Sequence, residues 1–279
     1  MILDGKKIAD GMLAEVKEAA ALRRTQGESF RLAAVLVGPS TDSGQAASKF
    51  LELKKKVAEK VGIDFRLYEF PVDITTQKLR KEVVGIAKAE VNQAVIIELP
   101  LPEHINTQYV LNAIPPDKDP DVLSEKSQGA FFSGRSSVLP PAVEAVKMIL
   151  KKNDLELKGK NCAIFGYGLL VGRPVSHWLA QRGAAVSIIN EYTPNPEFFA
   201  LNADVVISGV GKPNLIKSDM IKSGAVVIDF GYGNLNGQIA GDVDFGGASG
   251  KASLITPVPG GVGPIVIAAV FKNMMTLLK

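Results

Sequence analysis

The sequence is poor in the residues that disulfide-stapled and metal-binding proteins depend on. It has 1 Cys, 1 Trp and 2 His in 279 residues, and aromatic side chains make up 6%. A lone cysteine excludes a disulfide framework within the chain and fits a reducing compartment. Cys162 lies inside an apolar run, where a thiol is core material before it is a nucleophile. HxxxH and CxxC spacings are missing, as is a carboxylate cluster at metal-ligand spacing, so no metal centre is expected. His104 and His177 stand far apart and read as structural or surface groups, and no nucleophile elbow supports Ser-His-Asp chemistry. No uncharged apolar run approaches a membrane span, and Met-Ile-Leu-Asp-Gly-Lys-Lys at the start lacks a signal-peptide core, so the expected location is cytoplasmic. Charge of one sign is also lacking: 32 Lys+Arg against 29 Asp+Glu leave +3, which gives no argument for nucleic acid. The run Lys54-Lys55-Lys56, flanked by Glu52 and Glu59, reads mostly as the wet face of a helix.

What is present is a chain long enough for two domains, organised around Gly159 to Glu191. An apolar run, Cys162 to Phe165, ends in Gly166, Gly168 and Gly172 and leads into a helical pattern. A second apolar run, Val186 to Ile189, ends in Glu191. Strand, glycine turn, helix, strand and acid is the order of a β-α-β dinucleotide site. There the glycines permit a tight turn and close approach of backbone to pyrophosphate, and the helix N-terminus faces the negative charge. The spacing is GxGxxxG and not GxGxxG, so the flanking elements carry the argument. The plainer alternative is a tight strand-to-helix turn with no ligand.

Strands and helices alternate on both sides of this unit. Residues 5–25 carry Ile8, Met12, Leu13, Val16 and Ala19 or Ala20 at helical spacing. Arg31 to Gly38 is a buried-strand pattern, 39–46 are loop-like, and a helix runs to Val61, stopped by Gly62. Phe65 to Tyr68 is a strand, Thr75 to Ala89 a helix and Val95 to Ile97 a strand ending at Glu98-Leu-Pro-Leu-Pro102. After Pro140-Pro141, Ala142 to Lys151 reads as a linking helix. Val205 to Ile207 leads to Gly209 and Gly211, and Ala225 to Ile228 leads to Asp229 and Gly231. Gly241 to Asp244 makes a turn. Thr256 to Pro264 is a distinctive loop, and a helix from Ile265 to about Leu278 carries Pro264 at its first turn, where a missing N–H is no loss. This alternation implies an α/β fold with parallel sheets covered on both faces and ligands at the carboxyl ends of strands. Glu98 and Asp121 suit such positions. Phe50 and Lys54, four residues apart, share a helix face, so a ring and an amine could meet one flat ligand. Core packing for Phe50 and solvation for Lys54 are the plain alternatives.

These motifs together resemble one family, the methylenetetrahydrofolate dehydrogenase/methenyltetrahydrofolate cyclohydrolase (FolD) family, over essentially the full length. The matches are Glu98-Leu-Pro-Leu-Pro102 with His104 and Ile105, Lys118-Asp-Pro-Asp121, Leu157-Lys-Gly-Lys160, Gly166 with Val171-Gly-Arg-Pro174, Gly224 to Asp229, Gly241-Asp-Val-Asp-Phe245 and Thr256 to Pro264. The resemblance implies a folate domain over 1–140, completed by about 256–279, and a Rossmann-type NAD(P) domain over 141–255. It implies a folate cleft between them, a last helix packed on the first domain, and a homodimer. Two reactions are implied: oxidation of 5,10-methylenetetrahydrofolate with a nicotinamide dinucleotide, then hydrolysis of the methenyl product to 10-formyltetrahydrofolate. Lys54 takes the family's proton-handling lysine, with Glu98 beside it, and Asp121 the pterin-binding aspartate. Phe50, Leu99, Pro100, Pro259, Gly260 and Gly261 take substrate-side positions. Gly166, Tyr167, Gly168, Val171, Gly172, Glu191, Gly209, Gly211, Asp229 and Gly231 take cofactor-side positions.

This chain departs from the family's pattern near the chemistry. Phe50 replaces a tyrosine and loses its hydroxyl, and Glu98 replaces a glutamine. A carboxylate within reach of Lys54 favours the ammonium, unless Glu98 itself becomes the proton acceptor. Tyr167-Gly168 and Asn190-Glu191 replace the arginine-serine and histidine-serine pairs of NADP-using members. No cation remains there for a 2′-phosphate, and Glu191 suits a free ribose 2′-hydroxyl, so NAD is expected over NADP. Val122 and Val266 replace a glycine and a threonine on the folate side. These changes leave two alternatives to the bifunctional enzyme: an NAD-dependent dehydrogenase without hydrolysis, and a non-catalytic folate or dinucleotide binder.

Overall fold

The computed structural model describes residues 1–38 and 41–278, and their side chains outside 41–49. The chain divides into two compact units, Asp10–Pro141 with Ile267–Lys279, and Met1–Ala9 with Ala142–Val266. The expected boundary near residue 140 lies at the division, but Met1–Ala9 and most of the loop from Thr256 group with the later unit. The cause is local: Leu3 N donates to Ile255 O at 2.9 Å, Ile2 bridges Ile255, and a methyl on Gly5 would lie 1.7 Å from Gly261 O.

The first unit contains most of α1 (Gly5–Thr25), then β1 (Arg31–Val37), α2 (Thr41–Val61), β2 (Asp64–Phe70), α3 (Thr76–Lys88), β3 (Ala94–Ile97), α4 (Thr107–Leu111) and α5 (Glu125–Phe132). β1 lies between β2 and β3, parallel to both. The apolar runs of β1 and β3 are buried on both faces, whereas β2 alternates as an edge strand does. Helix α2 begins at Thr41, so most of the stretch expected as loop is helical; Pro39 and Ser40 lie outside the described residues. Gly62, at φ 74°, ends α2, and Thr75 caps α3 by accepting from Lys78 N at 3.3 Å.

The second unit runs α6 (Pro141–Lys152), β4 (Asn161–Phe165), α7 (Gly172–Ala180), β5 (Ala185–Ile189), α8 (Pro196–Leu201), β6 (Val205–Ser208), β7 (Val226–Asp229), a hairpin of β8 (Gly233–Leu235) and β9 (Gln238–Ala240), α9 (Phe245–Ala248), β10 (Leu254–Ile255) and α10 (Val262–Leu277). Its five parallel strands lie in the order β10-β7-β6-β4-β5. The chain leaves β4 for β5 on one side and returns to β6 on the other, so the carboxyl ends of β4 and β6 form the topological switch point where such sheets bind ligands. Cys162 is buried in β4, and burial pushes its thiol up to about 12, so it is core. Helix α10 starts three residues earlier than its periodicity suggests. Its later part joins the first unit, where Asn273 Nδ2 donates to Pro120 O and Leu139 O at 2.8 and 2.7 Å. Among the described residues no helix is long and apolar enough to cross a membrane.

Candidate functional site

Two polar centres stand out, one in each unit. In the first unit, Lys54 projects from α2 and Glu98 follows β3 directly, its own N–H held by Val35 O of β1 at 2.9 Å. Lys54 Nζ donates to Glu98 Oε1 at 2.5 Å, with side chains 12% and 6% exposed. Lys55 and Lys56 stay exposed, so the wet-face expectation holds for them and fails for Lys54. Phe50 lies one turn earlier on the same helix and is partly buried.

Asp121 completes this centre. It keeps some accessible surface, yet desolvation pushes its carboxyl up to about 6. Lys54 opposes that rise, while Glu98 and Asp119 reinforce it. The turn bearing Asp121 is over-determined. The Asp119 carboxylate accepts from Leu123 N at 3.1 Å and Ser124 N at 2.8 Å, and Ser124 caps α5. Between them Val122 is buried with φ 58°, a left-handed conformation that costs a β-branched residue about 1–3 kcal/mol. Among the described residues the other non-glycine residues of positive φ are Asp154, Asn195, Asn214 and Asn236, types that tolerate it. Leu99 and Pro100, joined by a cis peptide, follow Glu98 with some surface exposed. His104 is structural, its Nε2 3.0 Å from Ile74 O.

In the second unit the glycine turn has the form a dinucleotide needs. Gly166, at φ 90°, turns the chain off β4. A methyl on Gly172 would lie 2.1 Å from Gly166 O, so the start of α7 packs directly on the turn, and one on Gly209 would meet the Val171 side chain at 2.9 Å. Gly168 has open space around it and no packing reason to be glycine, which leaves that backbone free to approach a ligand. Gly211, at φ 79°, follows β6, and Glu191 is exposed two residues past β5. These features fit a nicotinamide dinucleotide.

Four further placements refine what the sequence suggested. A cation does lie at the turn: Arg173 stands over the Tyr167 ring at 5.6 Å, and its Nε donates to Tyr167 O at 3.1 Å. Asp229 does not offer its carboxylate to a ligand, because it is buried and both oxygens accept backbone N–H groups. Asp242, read as part of a turn and of the Gly241-Asp-Val-Asp-Phe245 match but given no role, is buried beside it; the signal was an acid inside a Gly-Asp-Val stretch bounded by apolar residues. Pro259, Gly260 and Gly261 sit in a tight loop of this same unit, where Gly261 N donates to Pro257 O at 2.8 Å. Lys54, Glu98 and Asp121 are thus gathered in one unit, and the glycine positions with Pro259 in the other.

Comparison with known proteins gives this arrangement a family. A model of the tetrahydrofolate dehydrogenase/cyclohydrolase catalytic domain matches residues 3–121, and one of the NAD(P)-binding domain of the same proteins matches 140–279. The chain belongs to the tetrahydrofolate dehydrogenase/cyclohydrolase family. A bifunctional FolD protein of Aquifex aeolicus is 38% identical over 283 residues, covering 100% of this chain and 95% of the relative. The crystal structure of the bifunctional FolD enzyme of Campylobacter jejuni superposes with a TM-score of 0.93 at 34% identity, covering 99% of this chain and 98% of that one. The Trypanosoma brucei FolD structure, complexed with NADP and an inhibitor, gives 0.92 at 31% identity over 99% and 96%. The architecture is therefore that of the family, a folate-binding catalytic domain followed by a Rossmann-type NAD(P)-binding domain.

Proposed function

We propose that this chain oxidises 5,10-methylenetetrahydrofolate with a nicotinamide dinucleotide, NAD in preference to NADP, and hydrolyses the methenyl product to 10-formyltetrahydrofolate. The observation that carries the reading is the buried Lys54–Glu98 pair at 2.5 Å beside the desolvated Asp121. When bound, the dinucleotide accepts the hydride. The chain's contribution to that step is binding and orientation, which the glycine turn and the Phe50 face supply. Hydrolysis needs more. Water adds to the methenyl carbon and loses one proton, the resulting hydroxyl loses its own as the C–N5 bond breaks and the formyl C=O forms, and N5 takes a proton, so one proton is released overall. Glu98 is the acceptor and Lys54 the donor, held side by side out of bulk water. Asp121 binds the pterin, with Leu99 and Pro100 as further substrate contacts.

A second reading follows from the same pair: the contact with Glu98 ties up the Lys54 amine, and dehydrogenation outlives hydrolysis. One assay separates the two. Purified enzyme receives methylenetetrahydrofolate with NAD or NADP, and methenyltetrahydrofolate alone, with methenyl absorbance followed in each. Turnover in both supports the bifunctional reading, and Glu98→Gln then slows hydrolysis. Turnover in the first alone, with hydrolysis gained on Glu98→Gln, supports the second.

NAD is favoured because Glu191 is exposed past β5, while Arg173 Nε is taken by Tyr167 O. Tighter NADP binding in a titration would sink this preference. A homodimer through the second unit is supported by β5, an edge strand with Ile188 exposed on it and Tyr192 and Phe198 exposed nearby at 85% and 62%. Light scattering that gives a monomer mass at micromolar concentration removes the dimer. The lone buried thiol of Cys162 suits a cytoplasmic enzyme.

A further inference from the structure

The second unit holds a pair of acids with no cation to match. Asp229 is 3% exposed and Asp242 0%. Asp229 Oδ1 accepts from the amides of Gly231 at 2.7 Å and Asp242 at 3.2 Å, and Oδ2 accepts from Val243 N at 2.9 Å. Asp242 Oδ2 accepts from Ser208 Oγ at 2.6 Å and Val210 N at 2.7 Å. Asp242 Oδ1 has no donor among the described residues. Thr256 Oγ1 accepts from Asp229 N at 2.7 Å, and none of the ion pairs among the described residues includes either acid. The two glycines beside the pair exist for its sake: a methyl on Gly231 would lie 2.4 Å from Asp242 Cγ, and one on Gly241 2.2 Å from Asp229 Oδ2.

The bonds made by this pair fasten three segments together. They are the end of β6 with the loop after it (Ser208 and Val210), the loop after β7 (Gly231) and the strap after β9 (Asp242 and Val243). The first two leave the carboxyl edge of the sheet, and the first adjoins the switch point at β4 and β6. Burying two acids against backbone N–H groups and one serine hydroxyl is costly, and burial with Asp242 nearby pushes the Asp229 carboxyl up to about 6. A hydrophobic pair would hold the loops apart at lower cost but could not fix the direction of their N–H groups.

We propose that Asp229 and Asp242 are positioning residues for the dinucleotide: they touch no ligand, and they fix the backbone of Gly209–Gly211 and Gly231 in the orientation the cofactor requires. The inference rests on the dinucleotide reading of this unit. The test measures three quantities in Asp242→Ala, Asp242→Asn and Ser208→Ala: NAD and NADP affinity by calorimetry, the folate KM, and hydrogen-exchange protection of the Val210 amide in the ligand-free protein. Asp242→Ala is expected to weaken dinucleotide binding at least tenfold and strip protection from Val210, with the folate KM within about twofold of wild type. Asp242→Asn keeps an oxygen for Ser208 and Val210 and recovers most of both losses. Ser208→Ala leaves the Val210 bond in place and costs about threefold or less. Unchanged affinity in Asp242→Ala, or an Asn variant no better than the Ala variant, overturns the proposal. If Asp242→Ala does not fold, the Asn variant must stay near wild type in both readouts and Ser208→Ala must show its small loss, or the proposal fails. If the wild type binds neither dinucleotide, the cofactor reading falls, while Val210 protection still decides whether the pair holds the loop.

Discussion

The two acid clusters are matched in burial and opposed in what balances them. In the first unit Glu98 and Asp121 share a side-chain cation, Lys54, and Asp121 keeps some surface. In the second unit Asp229 and Asp242 have backbone N–H groups and one serine hydroxyl. Desolvation pushes Asp121 and Asp229 alike to about 6, so burial does not tell a working carboxylate from a supporting one. The partner does. A lysine can give up its proton, swing away or meet substrate, whereas an amide N–H can only hold its acceptor in place. Proton chemistry is therefore assigned to the cluster with a titratable partner and geometry to the other.

The strongest test of that contrast is Lys54→Met. Hydrolysis is expected to fall about 10²–10⁴-fold, with dehydrogenation retained within about tenfold; equal loss of both rates breaks the contrast. The same change leaves Glu98 buried without its cation and is expected to cost about 3–5 kcal/mol in urea unfolding. Adding Glu98→Gln should restore stability without restoring hydrolysis.

The next effect is pH dependence. Asp121 and Asp229 hold their protons in the folded chain up to about 6, against 3.8 unfolded, so between these values the folded state binds more protons. Stability is then expected to fall as pH rises from about 4 to 6 and to level off above, with Asp229 contributing roughly 3 kcal/mol. Urea melts at pH 4.5 and 7.5 measure the drop, and Asp121→Asn should reduce it. A stability that rises across this window contradicts the assignment.

Val122→Gly comes third. Releasing the left-handed valine should stabilise the first unit by about 1 kcal/mol or more, read as a higher midpoint of thermal unfolding. A lower midpoint would mean that packing by the valine outweighs its backbone strain. Smallest is Glu191→Ser, expected to improve NADP binding about three- to tenfold relative to NAD by removing one carboxylate from the ribose side. No change in the ratio would leave Glu191 without a part in cofactor choice.

Much of this was legible in the residues. The apolar runs of β1, β3, β4, β6 and β7 mark strands buried on both faces, and the Gly166–Gly172 turn with Glu191 marks the cofactor side. Thr41–Ala46 misled because glycine, serine and aspartate are turn formers in isolation, and the helix that claims them does so by continuing one whose apolar face lies further on. The β8–β9 hairpin and α8 are short and mostly exposed, so they leave no periodicity to read. Lys54 could not be told from Lys55 and Lys56 by composition, since only the register of α2 against β3 puts one of the three beside Glu98. The Asp229–Asp242 pair and the backbone of Val122 are tertiary outcomes. One joins residues 13 apart across a hairpin, and the other is a conformation that valine would not choose.

The contact between Gly5 and Gly261 also bears on how the chain is made. The strip that opens α1 is seated on a loop more than 250 residues later, as is the bond from Leu3 to Ile255. During vectorial synthesis those residues leave the ribosome long before their partners and wait until the segment around residue 261 emerges. The second unit can close only after that segment has emerged. A ribosome stalled before that segment should therefore carry an N-terminal strip open to protease, and one stalled well beyond it a protected strip.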